Sequence, residues 1–304
     1  MLNTYCAPKR AGDFCTIFLN GQNFLTPVKT NHRLKKLLIY SLLLAQFARS
    51  QSVHHFSHSG FIGSGAYSKK FIDGFSFISN PAALSQTTLL SAGLFTEKKF
   101  LLKELNVYTI AIAIPTSVGG FGILTRYNGF NDYNEAQLGL GYAKNLGHVD
   151  LGIQFNYTAI RIAGYGTNSV VQADAGMVWH VMEKLHTGVH LMNVVAGKLS
   201  GNANEKPALI FKMGLGYEVS DAVFISSEIC KEEDKIVTVI ALLQYTLAGK
   251  FYLKGGISTA TSSPWLGAGL RWKMIRIDIT SGYHPQLGIT PGLLLLFSSK
   301  QKGT

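Results

Sequence analysis

From about Thr87 to Phe297 apolar and polar residues alternate with a period of two, the spacing of a strand whose faces meet different surroundings. In Leu151–Tyr157 one face reads Leu151, Ile153, Phe155 and Tyr157, and the other Gly152, Gln154 and Asn156. Val171–His180, Leu209–Glu218, Leu266–Lys273 and Ile275–Ile279 repeat the pattern. Turn-forming clusters separate the runs: Asn145–Gly147, Glu183-Lys184, Ser220-Asp221, Glu232–Asp234, Ala248–Lys250 and Ser262–Pro264. This punctuation predicts about fourteen strands of roughly ten residues, the length a tilted strand needs to cross a bilayer.

The predicted fold is therefore all-β, a transmembrane antiparallel β-barrel. Two further patterns agree with it. Connections after odd strands (97–104, 128–134, 164–168, 199–207) read longer than those after even strands (146–147, 182–184, 220–221, 248–249, around Met274). That is the contrast between extracellular loops and periplasmic turns. Tyr142, Trp179, Tyr217, Tyr245 and Trp272 share the apolar phase and fall near the ends of the fourth to twelfth even-numbered strands. They are expected to form an aromatic girdle at one rim.

The opposite phase carries Arg126, Glu135, Gln137, Asp174, Lys212, Glu218, Glu228, Lys254, Arg271, Lys273, Arg276 and Asp278. Burying such groups unpaired in a dry core costs several kcal/mol each, so they are expected to face a polar lumen. Glycines on that phase (Gly139, Gly141, Gly214, Gly216, Gly267, Gly269) leave room for inserted polypeptide. Gly119, Gly120 and Gly122 weaken the third strand. They mark either a kink in the wall or space for side chains of an inner segment.

Charged residues are 15% of the chain, against roughly 25% in soluble domains. The net charge of +11 is concentrated at the start, where residues 1–50 hold seven basic residues and only Asp13. From residue 51 onward 21 basic residues face 16 acidic ones, and no basic stripe with interleaved aromatics points to nucleic acid. Arg33, Lys35 and Lys36 precede the apolar run Leu37–Ala45, and Ala48-Arg49-Ser50 follows. This is the layout of a secretory signal with cleavage near Ser50–Gln51. Residues 1–31 are patternless, and initiation nearer Leu34 is the expectation. The expected division is leader at 1–50, periplasmic tail and plug at 51–86, barrel at 87–298 and a short tail at 299–304. The expected location is the outer membrane, in contact with its lipid.

Little in the chain suggests catalysis, and no enzyme activity, metal or cofactor is expected. The Leu293–Phe297 strand ends on an aromatic, similar to the signal read by barrel-assembly machinery. Cys230 is the sole cysteine after the leader and is expected to be a small filler. His54, His55 and His58 sit in the tail. His180, His186 and His190 flank one short turn, with no carboxylate spaced in sequence to complete a metal site. No nucleophile elbow or zinc motif occurs.

Residues 51–86 do not alternate. They contain Gly60-Phe-Ile-Gly-Ser-Gly-Ala-Tyr67 and then Asn80-Pro81-Ala82 just before the first strand. This stretch resembles the N-terminal plug of the FadL-type outer-membrane transporter superfamily, with Gly63, Gly65, Ala66, Asn80, Pro81 and Ala82 matching. The resemblance implies a fourteen-strand barrel with a plugged lumen. It also implies passive transport of fatty-acid-like molecules that enter from outside, meet the plug and leave sideways into the bilayer. That superfamily includes PorV- and PorQ-like barrels linked to type IX secretion in Bacteroidetes, so the alternative implied is an accessory barrel that binds a secretion-system protein. The acidic pair common between the two motifs is replaced by Lys69-Lys70 and Asp73, which leaves ion pairing between plug and wall open. A closed barrel has no free edge, and a monomer is expected.

Overall fold

A computed structural model describes residues 52–53, 60–198, 206–233, 235–260 and 263–299. The expected leader, His54, His55, His58 and the last residues of the C-terminal tail lie outside them. Fourteen strands form one closed barrel. They are β1 (Ser91–Lys98), β2 (Asn106–Thr116), β3 (Gly119–Gly129), β4 (Tyr133–Asn145) and β5 (Val149–Ile162). Next come β6 (Gly166–His180), β7 (Leu185–Ala196), β8 (Ile210–Glu218), β9 (Val223–Glu232) and β10 (Thr238–Leu247). The circuit ends with β11 (Phe251–Ser258), β12 (Ser263–Trp272), β13 (Ile275–His284) and β14 (Gly288–Ser298). Each strand pairs antiparallel with the next, and β14 closes on β1 with Leu295 opposite Leu94. A two-residue parallel pairing of Ser52–Val53 with Lys206–Pro207 forms a separate sheet.

The period-two pattern sets which face points where. On β5, Leu151, Ile153, Phe155 and Tyr157 are exposed on the outside, while Gln154 and Asn156 are buried inside. Leu138, Leu140, Met213, Leu215, Leu243, Leu253, Ile277 and Leu295 continue the outward apolar surface around the barrel. Water would penalise so large an apolar face, whereas lipid accepts it, and closure leaves no backbone group unpaired at an edge.

One rim carries the turns 117–118, 146–148, 181–184, 219–222, 248–250 and 273–274. Ala248 (φ 50°) and Gly249 (φ 65°) both adopt left-handed backbone there, as a type I′ hairpin turn requires. The opposite rim carries 99–105, 130–132, 163–165 and 285–287, together with the described ends of the connections after β7, β9 and β11. The expected contrast in length holds only in part, since 130–132, 163–165 and 285–287 are as short as the turns opposite. β3 and β6 run on through polar residues such as Asn128 and Thr167. Ladder pairing continues strands past the point where the hydropathy pattern stops.

Residues 60–87 run inside the barrel and carry its hydrophobic core. Phe61, Phe75, Phe77 and Leu84 pack against Phe95, Leu124, Phe224, Leu294 and Leu296 of the wall. Two 3-10 turns shape this inner segment, Ser76–Ile78 and Pro81–Gln86. Asn80 caps the second: its Oδ1 accepts from the Ala82 N–H at 3.0 Å, and Pro81 follows where no N–H is needed. Its Nδ2 donates to the Met177 and Val189 carbonyls at 3.2 and 3.1 Å. The Asn-Pro pair thus both starts a turn and fastens it to β6 and β7.

Wall glycines make the space for this segment. A side chain at Gly214 or Gly216 would run into Tyr67, one at Gly267 into Phe61, and one at Gly141 into Leu84. Gly139 and Gly269 instead accommodate wall side chains, Asn156 and Asp278. Gly120 and Gly122 face Leu84 and Phe77, and the β2–β3–β4 register is unbroken beside them. Of the two readings of these glycines, the structure shows space for inner side chains. The wall's irregularity lies elsewhere. Pairing of β6 with β7 slips between Ala173 and Ala175, Asn193 has φ 61°, and β8 pairs with β7 only as far as Met192.

Candidate functional site

The candidate site is the contact between the inner segment and the wall, where three polar clusters interrupt the apolar core. In the first, Asp73 Oδ2 lies 3.2 Å from Arg276 Nη1 and 3.9 Å from Lys254 Nζ. Arg276 also pairs with Asp278 through Nε at 2.9 Å, and its guanidinium lies 4.7 Å over the Tyr252 ring. Lys254 stands 5.0 Å over the Phe61 ring. Burial pushes the Asp73 carboxyl up, but Lys254, Arg276 and the Phe75 N–H more than offset this and hold it below the usual carboxylate range. The ion pairing between segment and wall that the sequence left open is therefore present.

In the second cluster Tyr67 Oη donates to Glu228 Oε2 at 3.0 Å, and Lys212 Nζ lies 3.3 Å from Glu228 Oε1. A cavity of about 50 Å³ adjoins them, lined also by Ser64, Ile240 and Leu242. Pockets for small organic ligands run to roughly 300–1,000 Å³, so this one holds water at most.

The third cluster crosses four strands at the short-turn rim. His180 Nε2 lies 2.7 Å from Asp150 Oδ2, and His180 Nδ1 lies 2.9 Å from His186 Nδ1. His186 Nε2 is 3.3 Å from Glu218 Oε1, off the line of a good hydrogen bond. Both ends of the chain of groups hold the inner segment. Gln86 Nε2 donates to both Asp150 oxygens, and Glu218 Oε1 accepts from Ser68 Oγ at 2.7 Å and from the Lys69 and Lys70 N–H groups. Outside the rim Lys70 and Asp221 form an exposed pair, which raises the lysine's pKa and lowers the aspartate's through their mutual hydrogen bond.

Most of the charged residues singled out in the sequence are buried inside the barrel: Arg126, Glu135, Asp174, Lys212, Glu218, Lys254, Arg276 and Asp278, with Glu228 nearly so. Glu218, Glu228, Lys254 and Arg276 touch the inner segment. Arg126 and Glu135 sit toward the opposite rim and Asp174 near the middle of β6, and all three bond to the wall. Arg126 Nη1 donates to Gln137, Tyr133 donates to Glu135, and Asp174 accepts from Asn156 and the Asn193 N–H. One residue departs from expectation. Lys273 lies in the β12–β13 turn at φ 56°, exposed and 6.0 Å over Trp272. Arg271 is exposed near the strand end but keeps the inner phase of Gly267 and Gly269, with its guanidinium 5.0 Å over the buried Tyr252. A phase count loses its meaning where the ladder stops at Trp272.

Of the aromatic set, Trp179, Tyr217, Tyr245 and Trp272 are exposed on the outer face near the short-turn rim. Tyr142 is half-buried, tilted against Phe121, and donates to the Val118 carbonyl at 2.8 Å. Of the plug motif, Gly63 turns with φ 84°, and Gly65 packs against the Phe71 carbonyl. Ala66 and Ala82 are buried together. Cys230 is a half-buried free thiol.

The His–His contact was missed because its carboxylates arrive from neighbouring strands, not from nearby sequence. The one available signal is register: His180 and His186 face each other across a short turn. Their Nδ1 atoms are too close for a zinc ion, which needs ~2.0–2.1 Å on each side.

No protein-family model matches the sequence, and no curated protein matches it. Solved structures do. The CymD monoaromatic hydrocarbon channel superposes with a TM-score of 0.55 at 9% identity, covering 79% of this chain and 96% of that one. The TodX monoaromatic hydrocarbon channel deltaS2 mutant gives 0.54 at 10% identity, covering 75% and 94%. The TodX deltaS2S3 mutant channel gives 0.52 at 9%, covering 76% and 95%. The chain is an outer-membrane β-barrel. At these identities the likeness is one of fold, and the outward apolar belt described above is the surface such a barrel presents to lipid.

Proposed function

We propose that this barrel passes a hydrophobic small molecule passively across the outer membrane, with residues 60–87 acting as a plug of the FadL type. The observation that carries this reading is the aromatic cluster buried between the inner segment and the wall. Phe61 stacks on Phe95 at 6.3 Å between ring centroids and meets Trp265 edge-on at 5.6 Å. A water-conducting porin keeps its lumen polar, whereas an apolar solute gains by leaving water for such a surface. The matching residues of the plug motif and the hydrocarbon channels of similar fold support the same reading.

The plug stays seated while solute passes. Unseating it would expose Phe61, Phe75, Phe77 and Leu84, at roughly 1.5–3 kcal/mol each, and would break the Asp73 and Glu218 contacts as well. A sideways exit fits the β6–β7 seam better than β3, because the pairing slips there between Ala173 and Ala175, and irregular backbone at membrane depth is tolerated only where it lines a protein cavity. No feature of the described residues favours an accessory role in type IX secretion.

Native mass spectrometry of the barrel, purified from its own outer membrane in mild detergent, tests the proposal. A retained fatty acid or aromatic hydrocarbon is the expected result. A stoichiometric protein partner with no small ligand overturns it.

A further inference from the structure

The two arms of the inner segment meet the wall differently. Phe71–Leu84 runs past β1 to β6, where Phe75 and Leu84 are fully buried. Bare wall glycines receive them, Gly93 against Phe75 and Gly120 against Leu84. Gly60–Tyr67 instead descends along β12 to β8, from Trp265 to Gly216. This contact leaves the cavity of about 50 Å³, between Gly60, Ser64 and Tyr67 on the segment and Lys212, Ser226 and Ile240 on β8, β9 and β10. At roughly 10–15 Å³ for each water, it has room for about four.

Three buried polar atoms beside this arm have no protein partner: Trp265 Nε1, His190 Nε2 and Gln244 Oε1. All three border the cavity's lining. Trp265 Nε1 lies 2.7 Å from the place a Gly60 side chain would take. His190 Nδ1 donates to the carbonyl of Ser79, a lining residue, and the ring stands opposite Lys212 in the ladder. Gln244 follows the lining residue Leu242 on the inward phase of β10 and stands opposite Lys254, whose Nζ donates to Ser64. Buried groups of this kind are satisfied by water where protein does not reach them, so the contact along this arm is wet.

We propose that solute passes the plug along this wet contact, between Gly60–Tyr67 and β8–β10, while Phe71–Leu84 stays packed. The proposal rests on the transport reading above. The path suits a molecule with an apolar body and one hydrogen-bonding end. Ile62, Ile240 and Leu242 give the body an apolar surface. Ser64, Ser226 and Lys212 give the polar end its hydrogen bonds. A solute with no such end would displace water from those groups and leave them unpaired. The path also leads toward the sideways exit. Lys212 stands opposite His190 of β7, and Leu191, the next residue, pairs with Ala175 where the β6–β7 register slips.

Thiol labelling of the barrel in proteoliposomes tests the path. Ser226→Cys and Ala111→Cys, each in a Cys230→Ser background, place one thiol in the cavity and one in the packed core. A small charged methanethiosulfonate should modify the Ser226→Cys thiol about tenfold faster or more, the ratio that ~1.4 kcal/mol of easier access gives. Equal rates would overturn the wet contact. Benzyl alcohol should slow this modification more than toluene does, and equal protection would overturn the preference for a polar end. The attached group fills the cavity, so uptake of a labelled fatty acid should fall to the level of protein-free vesicles and return on reduction. Full uptake after complete modification would overturn the path. An unmodified barrel that takes up nothing would instead refute the transport reading itself, and the path with it.

Discussion

Asp73 on the inner segment reaches Arg276 on β13 at 3.2 Å, across 203 residues of sequence. The pair joins a non-repetitive segment to the wall at a point where both partners are buried. Asp73→Asn leaves Lys254 without its nearest carboxylate while Arg276 retains Asp278. The expected loss in urea titrations of the folded barrel is about 3 kcal/mol. The difference from wild type should be full above ~3.9, the ordinary carboxylate value. It should shrink as pH falls through the depressed Asp73 pKa, because protonation then removes the wild type's own contribution. A difference that does not change with pH would show that the carboxylate's charge is not what holds Arg276 and Lys254.

Gly216 is bare because the Tyr67 carbonyl occupies the place of its side chain. Gly216→Val should prevent the segment from seating and sharply lower the yield of folded barrel. Gly282→Ala, where the added carbon meets only ordinary contacts from 3.7 Å, should stay within about 0.5 kcal/mol of wild type. Equal yields for both variants would remove the argument that wall glycines shape the lumen for the segment.

The barrel was legible because lipid imposes the same two-residue alternation on every strand; Leu151–Tyr157 and Leu209–Glu218 read alike. The inner segment was legible only by motif. Its contacts, Asp73 with Arg276 or Ser68 with Glu218, join residues far apart in sequence and of no repeating period. The same holds for His180 and His186, whose carboxylate partners lie one strand to either side. The wall interruption at Asn193 gave no sequence signal, since a non-glycine residue adopts the left-handed backbone there.

Leu140 faces outward near the middle of β4, paired with Ile123 and Phe155. Leu140→Arg should destabilise folding into lipid vesicles by about 2–4 kcal/mol, the cost of a cationic side chain at the bilayer midplane. A cost near zero would mean that this face does not meet hydrocarbon.

Asn80 is fully buried and makes three hydrogen bonds, one to its own turn and two to wall carbonyls. Asn80→Ala removes them together and should cost about 1–3 kcal/mol, read as a lower urea midpoint. Asn80→Asp, which keeps the cap acceptor but cannot donate to Met177 and Val189, should cost at least as much. A stable Asp variant would show that the wall bonds contribute little.

The most direct test of the account asks whether solute passes while the inner segment stays in place. A side chain at Gly74 would put its Cβ 3.1 Å from that of Ser91, near the ~3.5–4.5 Å of a disulfide. Gly74→Cys with Ser91→Cys, in a Cys230→Ser background, locks the segment to β1. Uptake of a labelled fatty acid into proteoliposomes should be the same in the oxidised and reduced protein. Uptake that stops on oxidation and returns on reduction would contradict the account and make the segment a moving gate.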